Sequence, residues 1–178
     1  MLICVLTGLA SGMPLYLLIQ LVPAWLHSAD VSLAQIGLFS LVRLPYTWKF
    51  LWAPFMDRIT PPLGRRRGWM LLAQLGLIAS IGALGPLDPL NQTALVAVFA
   101  YLIALLSATQ DVAIDAYRRE ILSDEELGLG SAIHVQAYRI AGLVPGSLSL
   151  ILADVLPWVW VFWITAGFMS VGLAPVSY

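Results

Sequence analysis

The chain has 178 residues, of which 60% are hydrophobic and 11% are charged, and its mean hydropathy is +0.88. Soluble globular domains are far more polar, so the composition predicts a protein that lies in a lipid bilayer. The formal net charge of −1 gives no reason to expect a nucleic-acid partner. Cys4 is the one cysteine in the sequence, which excludes an intrachain disulfide and leaves the redox compartment open.

Six mainly apolar segments are long enough to cross a membrane, which takes about 20 residues for roughly 30 Å of hydrocarbon. In chain order they cover approximately residues 2–26, 32–55, 69–87, 93–117, 128–152 and 158–176. The first lacks the basic start and the small-residue cleavage site of a signal peptide, so we interpret it as a retained helix. The sequence therefore predicts an all-α membrane protein in which residues 1–178 form one six-helix bundle.

Basic residues are confined to alternate connections between these segments. The connections after the first, third and fifth segments contain no Lys or Arg. Those after the second and fourth contain Arg58, Arg65, Arg66, Arg67, Arg118 and Arg119. Because cytoplasmic loops carry the excess of basic residues, this distribution predicts that both termini are cytoplasmic.

Several polar side chains lie well inside the predicted spans. A charge at mid-bilayer costs roughly 2.5–3.5 kcal/mol on insertion scales, so such residues normally face a bundle interior or an aqueous cavity. The first, second, fourth and fifth helices are therefore predicted to line a substrate or proton pathway, whereas the third and sixth, with little beyond Gln74 and Thr165, are expected to face lipid. The candidate pathway residues are Gln20, Arg43, Tyr46, Lys49, Gln110, Asp111, Gln136 and Arg139.

The charges in this set leave alternatives open. Asp111 and Asp115 are four residues apart and lie on one helical face. An anionic cargo or a proton-coupled acid would explain the excess of cations, and Arg139 could bind a carboxylate in a bidentate manner. The alternative is structural pairing, of Arg139 with Asp111 and of Asp115 with Arg119.

Glycine and proline patterns add a packing prediction. Gly8-x-x-x-Gly12 and Gly142-x-x-x-Gly146 are small-residue patterns that permit close helix contact. Three prolines inside the predicted spans, Pro14, Pro45 and Pro145, are expected to kink their helices. The sequence contains no phosphate-binding loop, no nucleophile–base arrangement and no metal-ligand spacing, so we expect a protein that is not an enzyme and needs no cofactor.

The connection between the second and third segments resembles the signature loop of the major facilitator superfamily. Asp57-Arg58 is followed by Gly64-Arg65-Arg66, with an insertion that contains Pro61-Pro62. Further stretches are similar to the AmpG-type muropeptide permeases, although Arg43 departs from that pattern. They are residues 8–15, 49–58, 60–62 and 64–69, Ser107-Ala108-Thr109-Gln110-Asp111, Asp115-Ala116 and Tyr138-Arg139. The related acetyl-CoA transporters share Gln110, Asp111 and Asp115 but are less similar in the loop.

The resemblance implies a proton-driven importer of N-acetylglucosaminyl-anhydro-N-acetylmuramyl peptides in the bacterial inner membrane. Such proteins have two six-helix halves, so the chain is expected to need a second half, in the same polypeptide or in another. The alternatives are transport of another organic anion, such as acetyl-CoA, or a scaffold half that transports nothing alone. The charged helix ends predict a cytoplasmic gate, which consists of Asp57, Arg58, Gly64, Arg65, Arg66, Asp115 and Arg118.

Overall fold

The computed structural model describes residues 1–62 and 64–174, and within them the chain is helical and contains no strand. Residue 63 in the predicted signature loop and the predicted end of the last span, at residue 176, lie outside the described residues. In this described part of the chain, four helices are long and apolar enough to cross a membrane: Leu2–Ser28 (α1), Arg65–Leu84 (α3), Thr93–Ile121 (α4) and Asp124–Ala153 (α5). The prediction of an all-α membrane protein is thereby confirmed.

Two further helical segments are shorter or interrupted. Trp158–Leu173 (α6) is apolar but shorter than the other four helices. Residues 33–58 (α2) form a chain of short pieces: Leu33–Leu38, Phe39–Arg43, Leu44–Trp48, Lys49–Leu51 and Ala53–Arg58. Pro45 and Pro54 lie near the start of the third and fifth pieces, where the missing N–H of proline ends a regular helix. The number of membrane crossings and the side of the termini stay predictions.

The helix ends differ from the predicted spans because charged residues extend the helices beyond the apolar core. The α4 helix continues to Ile121, and Arg118 and Arg119 lie in its last turn, where they complement the helix dipole. The α5 helix begins at Asp124 because Ser123 and Glu126 form a capping box. A search for apolar segments does not detect these polar helix ends.

Helices α1 and α5 are in close contact along much of their length. A Cβ atom on Gly8 would lie 2.5 Å from the carbonyl oxygen of His134, and one on Gly12 would overlap the carbonyl oxygen of Tyr138. Four residues further along both helices, the ring of Tyr16 takes the space beside Gly142. The contacts advance together, so α1 and α5 run parallel.

Both helices contain a π-helical turn at the same level of this contact. These turns are Leu17–Leu21 in α1 and Val144–Leu148 in α5. The second contains Pro145 and the first follows Pro14, and a proline removes a hydrogen bond and crowds the preceding turn, so the helix widens there. Gly146 leaves room for the Gln20 side chain between the two turns. The predicted kinks at Pro14 and Pro145 thus correspond to widened turns.

The apolar core lies toward one end of the bundle. It joins α1, α3, α4 and α6 near the 28–33 and 84–93 connections, and its largest fully buried side chains include Leu21, Leu26, Ile81, Ile103 and Phe162. A smaller cluster at the opposite end contains Met56, Met70 and Tyr117. Between these two apolar clusters lie most of the polar side chains discussed below.

Candidate functional site

Asp111 lies on α4 between the two apolar clusters, about ten residues or roughly 15 Å from the helix end. Its carboxylate accepts a hydrogen bond from the Ser11 hydroxyl, which joins α4 to α1. Tyr46 of α2 and Tyr138 of α5 lie within electrostatic range of the same carboxylate. Side chains of three other helices therefore converge on this acid.

Asp115 lies one turn further along α4 and forms two ion pairs. Its Oδ1 is 2.7 Å from Nη2 of Arg118, and its Oδ2 is 3.9 Å from Nζ of Lys49. The alternative pairing of Asp115 with Arg119 is not observed, since Arg118 and Lys49 are the partners of this carboxylate. Asp111 interacts electrostatically with Asp115 and with both cations that pair with Asp115, namely Lys49 and Arg118. The two acids therefore belong to one cluster.

The alternative pairing of Asp111 with Arg139 does not occur among the described residues, since the hydrogen bond to Asp111 comes from Ser11. Arg139 and Gln136 are exposed on α5. Gln20 is exposed on α1, with its side-chain oxygen against Gly146. These three side chains lie on the open face of α1 and α5.

Arg66 joins the predicted gate residues to a residue that the sequence analysis missed. Its Nη1 is 2.6 Å from Oδ1 of Asp57, and its Nε is 2.9 Å from Oε1 of Glu120. The guanidinium thereby ties the end of α2 and the start of α3 to the end of α4. In the sequence, Glu120 is only one of several acids near the charged helix ends. Asp57 and Asp115 are equally good candidate partners for Arg66 on sequence grounds.

The other predicted gate residues lie around this bridge. Arg58, Gly64 and Arg65 are exposed, and Gly64 has a φ of 93°, in the region that favours glycine. Trp69 donates its indole N–H to the carbonyl oxygens of Met56 and Ile59, at 3.2 and 3.1 Å. The start of α3 is thereby fixed to the end of α2.

Buried amide and hydroxyl groups connect α3, α4 and α6. The amide nitrogen of Gln110 donates to the side-chain oxygen of Gln74, and the amide nitrogen of Gln74 donates to the carbonyl oxygen of Met169. Thr165 lies 2.8 Å from the hydroxyl of Ser149. Gln74 and Thr165 are both fully buried, so these two side chains point into the bundle and form interhelical contacts.

Three buried side-chain oxygens near Asp111 have no hydrogen-bond partner of good geometry among the described residues. They are the hydroxyls of Tyr46 and Ser107 and the free oxygen of Gln110. Buried polar atoms are nearly always paired with protein or ordered water. The hydroxyls of Tyr46 and Ser107 interact with each other beside Asp111, and the Gln110 side chain lies at its contact with Gln74.

A cavity of about 660 Å³ opens at the turn between α4 and α5. Its walls combine both ion-pair partners on α4 with the start of α5, namely Asp115, Arg118, Arg119, Asp124, Leu127 and Ser131. The cluster around Asp115 is thus accessible from this end of the bundle.

Comparison with known proteins identifies the family. Residues 1–145 match the sequence model of the family described as acetyl-coenzyme A transporter 1. The chain belongs to this transporter family. It is also 45% identical over 169 residues to the anhydromuropeptide permease of Escherichia coli, an alignment that covers 94% of this chain and 34% of that protein. The resemblance to AmpG-type transporters is confirmed.

Two further relatives extend the comparison. An uncharacterized protein of Haemophilus influenzae is 55% identical over 174 residues, which cover 97% of this chain and 41% of that protein. A Rickettsia prowazekii protein that bears the AmpG name is 33% identical over 157 residues, or 85% of this chain and 37% of the relative. The chain thus spans well under half the length of these curated relatives and is a multi-pass membrane protein of a transporter family.

Proposed function

We propose that this chain forms one six-helix half of a secondary transporter, which imports anhydromuropeptides across the bacterial inner membrane and is driven by the proton gradient. The observation that supports this most directly is Asp111, which lies deep in α4 with side chains of α1, α2 and α5 around it. Ionisable residues at membrane depth commonly belong to substrate or proton pathways. The hydroxyls of Tyr46 and Ser107 beside it supply further polar groups.

The balance of charge favours an anionic cargo. Lys49 and Arg118 share Asp115, whereas Arg43 and Arg139 are exposed and have no ion pair among the described residues. These two exposed arginines can therefore attract a glycopeptide that carries a carboxylate. The relative from Escherichia coli that is named a permease for anhydromuropeptides supports the same substrate class.

In this proposal all six helical segments cross the membrane and both termini are cytoplasmic. The arginine-rich connections then lie on the cytoplasmic side, as the positive-inside rule requires. Interrupted helices such as α2 are tolerated at membrane depth where they pack on protein or line an aqueous cavity. One face of α2 packs on α4, and the Trp52 indole donates to the Thr109 hydroxyl at 3.2 Å.

The Arg66 bridge has the position expected of a cytoplasmic gate. It ties together the ends of α2, α3 and α4, and Arg58, Gly64 and Arg65 lie near it in the chain. Arg118 and Asp115 lie within about one and a half turns of Glu120 on α4. Opening that separates these helix ends would break the contacts of Arg66 with Asp57 and Glu120. A second six-helix half is needed to complete the path and to move against this one.

Acetyl-CoA is a second candidate cargo, and the description of the matching family favours it. The two cargoes can be separated by competition in proteoliposomes that contain the complete gene product to which this chain belongs. Uptake of a labelled anhydromuropeptide should be inhibited by unlabelled anhydromuropeptide and unaffected by an equal concentration of acetyl-CoA. Inhibition by acetyl-CoA alone would refute the substrate assignment, and no uptake of either compound would favour a scaffold role.

A further inference from the structure

Arg43 lies at a break in α2, between the turn Phe39–Arg43 and the short helix Leu44–Trp48. It lines two cavities at the surface between α1 and α2, with volumes of about 160 and 390 Å³. Ser40 lines both of them as well. The two cavities therefore adjoin at Arg43 and Ser40. We call the two cavities together the Arg43 cleft.

The backbone at this point requires a polar environment. Pro45 has no N–H, so it cannot donate to the carbonyl group one turn earlier, and the flanking turn has 3-10 geometry. An unsatisfied backbone group in contact with lipid costs several kcal/mol, so irregular backbone at membrane depth is found where it is covered by protein or lines an aqueous cavity. The exposed guanidinium of Arg43 has the same requirement. The cleft thus faces water, a cargo or the second half.

The charge of Arg43 is available to a ligand. Among the described residues that line the two cavities, Arg43 carries the only charge. The nearby acids on α4 are engaged by other groups, Asp111 by Ser11 and Asp115 by Lys49 and Arg118. An arginine presents a planar fork of donors that matches the two oxygens of a carboxylate.

The residues that line the cleft indicate which class of ligand it can bind. The α1 side is apolar and consists of Leu15, Leu18, Ile19 and Pro23. The α2 side supplies the hydroxyl groups of Ser40, Tyr46 and Thr47 among apolar side chains, which are Ile36, Phe39, Leu41 and Leu44. One cation beside a few hydroxyl groups and largely apolar walls suits a single carboxylate next to a short aliphatic side chain. A ligand with several phosphates would need more than one cation.

We propose that the Arg43 cleft is a subsite for the carboxylate end of a short peptide on the transported compound. Tyr46 lines the larger cavity, so the cleft adjoins the cluster around Asp111. The proposal rests on the proposed function, because the peptide belongs to the anhydromuropeptide cargo. It assigns Arg43 to the binding of one end of the cargo and gives it no part in proton movement.

Equilibrium binding to the purified complete protein in nanodiscs tests this assignment without transport. The probes are an anhydromuropeptide with a free C-terminal carboxylate and the same compound with a C-terminal amide. Wild-type protein should bind the acid at least tenfold more tightly than the amide. Arg43→Gln should remove that difference by weakening acid binding, Arg43→Lys should retain part of it, and the matched control Arg119→Gln should leave it unchanged.

The outcomes separate failure of the subsite from failure of the proposed function. If the acid and the amide bind wild-type protein equally, or if Arg43→Gln weakens both to the same extent, the subsite is wrong while the substrate class stands. If neither compound binds wild-type protein, the proposed function fails and the subsite with it.

Accessibility to an aqueous thiol reagent provides a second measurement that does not depend on Arg43 itself. In a background without other reactive cysteines, Ser40→Cys should react with a membrane-impermeant anionic reagent, and the acid probe should slow the reaction more than the amide probe. Leu75→Cys, on the exposed face of α3, is the control and should be unreactive. An unreactive Ser40→Cys would mean that the cleft is closed to water, which would overturn the proposal.

Discussion

The contact between α1 and α5 yields a stability prediction that can be worked out at a single glycine. A Cβ atom on Gly8 would lie 2.5 Å from the carbonyl oxygen of His134 and 2.8 Å from Cβ of Ala137. Both obstacles are backbone or β-carbon atoms, which cannot move aside by a change of rotamer. Gly8→Ala must therefore push the two helices apart.

Two effects of the Gly8→Ala change oppose each other. Alanine favours a helix over glycine by about 0.8–1 kcal/mol, whereas overpacking of a close contact typically costs about 1–3 kcal/mol. Gly82 in α3 offers a matched control, since a Cβ atom there would meet no atom within 4 Å. Gly82→Ala should thus stabilise the protein slightly, and Gly8→Ala should be less stable than Gly82→Ala by about 1–3 kcal/mol.

Thermal unfolding of the complete protein in detergent measures this difference. One kcal/mol corresponds to about 2–4 °C in Tm for a protein of roughly this chain's length, and to less for a longer one. The midpoint of Gly8→Ala should accordingly lie several degrees below that of Gly82→Ala. Equal midpoints for the two variants would refute the close contact between α1 and α5.

Three other predictions concern the charged residues. Asp57→Asn and Glu120→Gln should each slow uptake by up to about fivefold, because exposed ion pairs are worth up to about 1 kcal/mol; an unchanged rate in both would contradict the bridge. Arg139→Lys should raise the apparent KM, since lysine loses the bidentate fork. Hydrogen bonds from Asn91 and the Leu90 amide lower the pKa of Asp88 below its ordinary 3.8, so the Tm difference between wild type and Asp88→Ala should begin to shrink as the pH falls below 3.8 and vanish below the lowered pKa of the folded protein.

The first of these predictions has a control variant, and the other two have a result that would contradict them. Glu125→Gln removes an exposed carboxylate outside the Arg66 bridge and should leave the uptake rate unchanged. An unchanged KM in Arg139→Lys would assign Arg139 to a structural role. For Asp88, the sign follows from a carboxylate whose pKa is lower in the folded protein, since its stabilising effect is complete above 3.8 and disappears on acidification. A Tm difference that persists in acid would contradict it.

The features that the sequence predicted best are those that depend on short-range pattern. The length of the apolar segments indicated the membrane helices, and the Gly8-x-x-x-Gly12 pattern indicated a close contact that the structure shows. In both cases the physical requirement, burial from water or room for a neighbouring backbone, is met by residue types at fixed spacing. Asp111 and Asp115 were likewise placed on one face by their four-residue separation.

Partners across helices could not be derived in the same way. Asp115 pairs with Arg118 and Lys49, where the adjacent Arg119 was an equally plausible partner on sequence grounds. Glu120 was missed because its role depends on how α3 and α4 meet. The interruptions of α2 were also underestimated, since Pro45 predicted a kink, whereas the segment divides into five short pieces. Such features depend on tertiary packing, which sequence spacing does not encode.

Proton-driven accumulation tests the central claim most directly. The complete protein in proteoliposomes should accumulate a labelled anhydromuropeptide when the outside is acidic, and a protonophore should abolish the accumulation. Asp111→Asn should lose the response to the pH gradient yet retain exchange of cargo, whereas Asp154→Asn, which changes an exposed acid in the connection between α5 and α6, should behave as wild type. Accumulation that is insensitive to the protonophore, or an Asp111→Asn variant that still responds fully to the gradient, would contradict the account.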